Sequence, residues 1–209
     1  MIKAIIFDWG GVICYPITKR LVIRLKEQFN ADERAIRKAY FKDLHGYEIG
    51  KLSDKEFWQN FCRELNIKVD ENLVMDIVRN VEQLDKEVYE LLVQLKKTKR
   101  YKLVLLSNNI PVMANYIRKK FDLSVFDNLF FSNEIGMRKP HLDIFEHVLK
   151  EINSNKEDKT ITKILPEETI FIDDKQENLD TAAQLKIKTI LFQNAEQLKK
   201  DLIVLEVKI

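Results

Sequence analysis

The sequence predicts an α/β protein: a doubly wound parallel-sheet core that carries an inserted all-helical subdomain. Three observations lead there. Short β-branched apolar runs recur at Lys3–Phe7, Lys102–Leu106, Asn128–Phe131, Thr169–Ile172 and Thr189–Phe192. Their near-continuous hydrophobicity suits strands covered on both faces. Segments of helical period separate the later runs, at Asp85–Thr98, Pro111–Phe121, His141–Ile152 and Gln176–Leu185, and such alternation marks a doubly wound sheet. Between the first and second runs no strand-like segment occurs. Residues 16–82 read as helical throughout, as Ile17–Phe29, Asp32–Lys42, Asp54–Leu65 and Asn72–Val81.

Asp32 and Ser53-Asp54 stand where helix N-caps belong, their short oxygen-bearing side chains able to accept from the first free backbone N–H groups. A right-handed crossover between parallel strands needs one helix, so the surplus reads as an inserted cap. The expected division is residues 1–15 and 84–209 for the core and 16–83 for the cap, bending near Cys14–Pro16 and Gln83–Asp85. The apolar tail Leu202–Ile209 would add a last strand or helix to the core.

Composition narrows the function classes. Of 209 residues 45% are hydrophobic, and Gly and Pro number only 5 and 4, the profile of a folded chain. Lys and Arg total 35 against 33 Asp and Glu, so no basic excess points to nucleic acid. Lys96-Lys97, Lys119-Lys120 and Lys199-Lys200 read as solvated helix faces. No segment approaches the ~20 apolar residues that span a bilayer, and the first residues are too soon polar for a signal peptide. Cys14 and Cys62 lack metal-type spacing and read as reduced thiols. The expectation is a soluble, cytoplasmic protein with neither nucleic-acid nor membrane partner, its oligomeric state open.

In an open parallel sheet, ligands bind outside the carboxyl ends of the strands. There the chain places Asp8-Trp9-Gly10-Gly11-Val12, Ser107-Asn108-Asn109, Gly136-Met137-Arg138-Lys139-Pro140, and Asp173-Asp174 with Asn178. Singly, each is an ordinary turn or helix start; together they bring one carboxylate, a hydroxyl-amide pair, a lysine and an acidic doublet to one crevice. That set suits phosphoryl transfer. A carboxylate can attack phosphorus and split one hard displacement into two easier ones. An anion attacking an anionic ester needs its charge neutralised, which a hard divalent cation on carboxylates does. Lys139 and the Ser107 hydroxyl would hold the phosphoryl oxygens, and Gly10 and Gly11 would let backbone approach them.

These segments, in this order, resemble the four motifs of the haloacid dehalogenase-like superfamily. The resemblance covers residues ~3 to 192, nearly the whole chain, and the helical insert is similar to the cap of one large branch. Gly46-Tyr47-Glu48-Ile49-Gly50 and Gly136-Met137-Arg138-Lys139-Pro140 resemble the branch of α-glucose-1-phosphate phosphatases, with the phosphatase domains of epoxide hydrolases nearby. The resemblance implies a Rossmann-like core and a Mg²⁺-dependent phosphatase acting on a small phosphorylated metabolite. Asp8 would be nucleophile and metal ligand, and residue 10 would offer its carbonyl to the metal. Ser107 and Asn108 would bind phosphate, and Lys139 would pair with phosphate and Asp8. Asp174 would be the main acidic ligand, with Asp173 acting beside it directly or through water.

Position 10 departs from the pattern. Most phosphatases of the superfamily carry a second Asp there, which protonates the leaving alkoxide; general acid–base help is worth ~10²–10⁴-fold. Gly10 has no proton to give. A cap residue (His45, Tyr47 or Glu48) or a metal-bound water could supply it, and a sugar 1-phosphate would need less help. A metal-free haloacid dehalogenase would need no proton, but Asp173-Asp174 would repel its anionic substrate. A catalytically impaired phosphate-binding or interaction protein is the third reading. Elsewhere bland readings hold: His141 and His147 do not share a helix face, and Phe57, Trp58 and Phe61 read as cap core. Trp9 would wall the entrance or pack beneath the cap.

Overall fold

A computed structural model describes residues 1–68, 73, 76–77, 83–154 and 163–209. Its centre is a five-stranded, fully parallel sheet: β1 (Ala4–Phe7), β2 (Lys102–Ser107), β3 (Asn128–Phe131), β4 (Thr169–Asp173) and β5 (Lys188–Leu191), in the order β3-β2-β1-β4-β5. The first strand in sequence is central, so later strands are added first on one side and then on the other. This creates the crevice at the carboxyl ends that the sequence predicts.

Strand pleating sorts the core residues. Ile5, Phe7, Leu103, Leu105, Ile170 and Ile172 face one way. There they meet helices α4 (Lys86–Thr98) and α5 (Pro111–Lys120) and α9 (Ala195–Val204) through residues such as Leu92, Ile117 and Leu198. Ala4, Ile6, Val104, Leu106 and Phe171 face the other way, against Phe145 and Val148 of α7 (Leu142–Glu151) and Leu179 of α8 (Gln176–Gln184). Alternation over two covered faces is why these strands read as continuous apolar runs.

Strands β2 and β4 each extend one residue past the expected end. Ser107 pairs with Phe131 and Asp173 with Leu191, so two polar residues expected in loops are fixed by the sheet. Of the tail Leu202–Ile209, the first three residues end helix α9 and residues 205–209 form neither helix nor strand. A short helix, α6 (Ser132–Ile135), follows β3 without a signal in the sequence.

Helices α1 (Ile17–Phe29), α2 (Glu33–Glu48) and α3 (Asp54–Glu64) form a layer with its own core. Asp32 accepts from Ala35 N–H at 3.1 Å. Ser53 and Glu56 form a reciprocal capping box, Ser53 N–H to Glu56 Oε2 at 2.9 Å and Glu56 N–H to Ser53 Oγ at 3.3 Å. Helix α2 runs six residues beyond the expected end at Lys42. Gly46 sits inside it without penalty from packing, since a side chain there would meet only Leu52 at ordinary contact distance, and buried Leu44 and Tyr47 anchor the extension. Phe57, Trp58 and Phe61 are core residues, as expected, with Tyr47 stacked on Phe57 at 4.2 Å. The helix expected over 72–81 falls almost wholly outside the described residues.

The two chain connections to this layer run side by side. Tyr15 N–H donates to Gln83 O at 3.0 Å and Asp85 N–H to Ile13 O at 2.9 Å. Asp85 then caps α4, accepting from Glu87 and Val88 N–H. Ile110, Val112 and Met113 at the start of α5 join the helical layer's core, and Val112 N–H donates to Asp54 at 3.1 Å. No described helix is long and apolar enough to cross a membrane. Cys14 and Cys62 are buried and not disulfide-bonded.

Candidate active site

Sheet register builds the site. Phe7 pairs with Ile172, so Asp8 and Asp173, one residue on, stand side by side; Asp8 N–H donates to Ile172 O at 2.9 Å. Lys139 lies between the two carboxylates, its Nζ 2.9 Å from Asp8 Oδ1 and 2.6 Å from Asp173 Oδ2. All three are buried: the lysine is 1% exposed, Asp173 0% and Asp8 6%. Trp9 N–H adds a 2.7 Å bond to the same Asp8 Oδ1. Both contacts therefore fall on one carboxylate oxygen and hold the group's orientation.

The lysine is held through its backbone as well. Asn108 Nδ2 donates to Lys139 O at 2.8 Å, and Lys139 N–H donates to Asn108 Oδ1 at 2.9 Å. This reciprocal clamp ties the end of β2 to the loop after α6. It also engages the Asn108 amide that the sequence reading assigned to phosphate. Ser107 is 1% exposed at the end of β2, and the residue after it, Asn108, lines the cleft. Asn109 N–H donates to Ser132 Oγ at 2.9 Å, extending the tie toward α6.

The acidic doublet divides its labour. Asp173 accepts from Lys139 Nζ, from Lys175 N–H at 2.8 Å and from Asn178 Nδ2 at 2.9 Å on each oxygen. Asp174 does the reverse: its Oδ1 is buried and, among the described residues, has no hydrogen-bond partner. A buried carboxylate oxygen without a donor is costly unless a cation or ligand serves it. One oxygen each of Asp8, Asp173 and Asp174 lie within 4.8 Å of one another. Three carboxylates against one lysine leave excess negative charge, and hard oxygen donors of this kind suit Mg²⁺ or Ca²⁺. The residues present therefore fit a divalent cation.

The two glycines after Asp8 have different reasons. Gly11 takes φ +92°, and a Cβ there would stand 2.3 Å from Asp174 Oδ2; it makes room for the carboxylate. Gly10 lines the cleft, and a Cβ there would meet nothing within 4 Å. A side chain would fit at position 10, so its absence is not forced by packing.

Electrostatics agree with geometry. Burial pushes the Asp8 carboxyl up to about 7; Lys139 opposes the shift and Asp173 and Asp174 add to it. Burial works against the Lys139 charge, but Asp8 and Asp173 outweigh it and raise the lysine's pKa. Asp174 is raised by burial and then by Asp173. Cation loading would relieve both raised carboxyls.

Opposite these groups, across a cleft of about 230 Å³, stands one face of α2: Tyr40, Phe41, Leu44, His45 and Glu48. Their spacing of four, eight and neighbouring positions is that of a single helical face. Of the three α2 residues expected as proton donors, His45 and Glu48 reach the cleft. Tyr47 does not: it is 0% exposed and its hydroxyl donates to Asp54. Trp9 is fully buried in the sheet's core, 5.4 Å from the Phe121 ring, and among the described residues it does not line the cleft. His141 occupies the N-cap position of α7 and His147 stands edge-on to Phe130, so neither belongs to the site. A larger cavity of about 540 Å³ lies at the amino end of β2, around Lys102, Leu149 and Ile164, with no carboxylate among the described residues of its walls.

A parallel sheet with a buried Asp–Lys–Asp cluster at its carboxyl edge, closed over by helices, defines a hydrolase of the Rossmann-like α/β class. The family model of haloacid dehalogenase-like hydrolases matches residues 2–186, and the chain belongs to that family. It is 26% identical over 221 residues to a D-ribitol-5-phosphate phosphatase of Bacteroides thetaiotaomicron, covering 98% of each protein. It is also 27% identical over 215 residues to a drimenol cyclase of Aspergillus calidoustus, covering 97% of this chain but only 36% of that protein. Among solved structures, it is similar to a HAD family enzyme of Bacteroides thetaiotaomicron in complex with magnesium and inorganic phosphate. That match has a TM-score of 0.76 at 23% identity, over 95% of this chain and 99% of the other.

Proposed function

We propose that the chain is a Mg²⁺-dependent phosphatase acting on a small sugar or polyol phosphate, with glucose 1-phosphate the first candidate substrate. The observation that carries this is the orphaned Asp174 oxygen beside the buried Asp8–Lys139–Asp173 cluster. Asp8 attacks phosphorus through its carboxylate, the bond from phosphorus to the alcohol oxygen breaks, and an aspartyl phosphate forms. Water then cleaves that intermediate and releases phosphate. Lys139 neutralises the phosphoryl group while orienting Asp8, and Asp173 positions Lys139. The Ser107 hydroxyl and the second N–H of the Asn108 amide complete the phosphate contacts.

Asp8, Asp174 and the Gly10 carbonyl would hold the cation, with Asp173 in its outer environment. When bound, it supplies positive charge to the phosphoryl oxygens. The magnesium and inorganic phosphate bound in the similar HAD family structure, and the phosphatase activity of the ribitol-phosphate relative, support this assignment. His45, facing the cleft, gives the departing alkoxide its proton in place of the side chain missing at Gly10. Residues 16–83 act as a cap that opens on the paired connections at Cys14–Pro16 and Gln83–Asp85. The acidic cluster weighs against a metal-free dehalogenase, because it would repel a haloacid carboxylate.

A screen of phosphorylated metabolites and an aryl phosphate, with Mg²⁺ and with chelator, tests the proposal. Mg²⁺-dependent phosphate release is expected. Binding of Mg²⁺ and phosphate without turnover of any ester would favour the impaired, phosphate-binding reading, and haloacid turnover that survives chelation would establish the dehalogenase.

A further inference from the structure

The cleft's far wall carries polar groups that the phosphoryl chemistry does not use. Arg138, the neighbour of Lys139, donates from Nε to Glu48 Oε2 at 3.0 Å. The pair joins the core to α2 and is largely buried, at 17% and 13% side-chain exposure. Among the described residues this is the one hydrogen bond on either head group, so a carboxylate oxygen and the terminal guanidinium nitrogens remain available. Tyr40, two helical turns from Glu48 on the same face, is 7% exposed, and among the described residues no hydrogen bond reaches its hydroxyl. Burial and the Glu48 charge raise the Tyr40 pKa, so the hydroxyl stays a donor.

All three side chains line the cleft, so this spare hydrogen-bonding capacity is open to a ligand that displaces water from it. The free capacity is mixed: one strong acceptor, several strong donors and one neutral hydroxyl. A second phosphate or carboxylate on the substrate would face the Glu48 charge. An alkyl or prenyl alcohol would desolvate all three groups and satisfy none. A run of hydroxyls can donate to Glu48 while accepting from Arg138 and Tyr40, and its C–H face can rest on Leu44 and Met113, which also line the cleft.

We propose that Tyr40, Glu48 and Arg138 form a specificity-determining subsite that reads vicinal hydroxyls on the leaving alcohol. This rests on the phosphatase reading for the orientation of the ester, phosphate toward Asp8 and alcohol toward α2. A site built to hydrogen-bond a hydroxyl discriminates strongly against analogues that lack it.

Calorimetric titration of Asp8→Asn protein in Mg²⁺ with ribitol 5-phosphate and with pentyl phosphate isolates the subsite, because both are primary alkyl esters of equal chain length. The polyol ester should bind at least ~30-fold more tightly. Adding Glu48→Gln should reduce that preference about tenfold or more, and Tyr40→Phe by a few-fold, each without a change in melting temperature that tracks the loss. Equal affinity for the two esters would overturn the proposal, as would variants that weaken both equally, the mark of a structural or proton-donating role. Turnover of an aryl phosphate by the wild-type protein is recorded alongside. If the aryl phosphate is hydrolysed while the polyol preference is missing, the subsite fails and the phosphatase reading stands. If the preference is present and nothing is hydrolysed, the subsite stands and that reading fails.

Discussion

At the edge of the sheet, burial is given over to charge, and in the helical layer above it to aromatic rings. Asp8, Lys139 and Asp173 are all buried, and the lysine holds both carboxylates. Tyr47, Phe57, Trp58 and Phe61 fill the helical layer through ring contacts of 4.2–5.5 Å between successive neighbours. The first arrangement depends on its shared lysine, since removing Lys139 leaves two buried carboxylates without their counter-charge. The second tolerates exchange of volume for volume. A substitution at the sheet edge therefore disturbs charge pairing, and one in the helical layer disturbs packing.

The sharpest contrast between the two comes from single substitutions. Asp8→Asn should lower turnover on the order of 10⁴-fold or more while the protein stays folded, measured as phosphate release and by circular dichroism. Phe57→Ala should do the opposite, costing ~3–5 kcal/mol of stability in a denaturant titration with little effect on kcat of the folded fraction. Equal behaviour of the two variants would erase the distinction.

Lys139→Met should damage both properties at once. It leaves Asp8 and Asp173 buried together, which should cost ~3–5 kcal/mol, and it removes the charge that meets the phosphoryl group. Thermal melts and kinetics on one preparation check both effects.

The neighbouring glycines offer a finer cut. Gly11→Ala drives a Cβ into Asp174 at a positive φ, so Mg²⁺ affinity should fall ~10–100-fold, read by titrating activity with the cation. Gly10→Asp meets open space. It should fold normally and raise kcat on alkyl phosphates, by up to ~10²-fold if protonation of the alkoxide limits the rate.

The smallest effect is on stability against pH. The folded Asp8 carboxyl holds its proton up to about pH 7, whereas an unfolded aspartate releases it near ~3.9. Between those values the native state binds more protons, so the metal-free protein should lose stability as pH rises through that window. A shift of several degrees in melting temperature is expected, reversed by Mg²⁺ at neutral pH. Asp8→Asn should flatten the profile.

The two regions also differed in how much the sequence disclosed. All five strands were legible because covered parallel strands leave continuous apolar runs, and Asp8, Lys139, Asp173 and Asp174 because each ends a strand or enters a helix. What these residues do to one another was not legible. The clamp of Asn108 on the Lys139 backbone and the saturation of Asp173 depend on register between segments far apart in sequence. In the helical layer the end of α2 was missed, since Gly46 reads as a breaker and only packing against Leu52 and Tyr47 shows it is not. With that extension went the cleft-facing row of Tyr40, Leu44 and Glu48, whose recurrence every four residues was the available signal. Tyr47, one of the expected proton donors, is instead buried with its hydroxyl on Asp54.

The central claim is that the phosphoryl group passes through Asp8. Acid quenching of the enzyme during turnover of an aryl phosphate in Mg²⁺, followed by peptide mass spectrometry, tests it directly. The account predicts a phosphoryl adduct on the peptide containing Asp8, absent without Mg²⁺ and absent in Asp8→Asn. Phosphate release that continues in Asp8→Asn, or an adduct on a different residue, would contradict it.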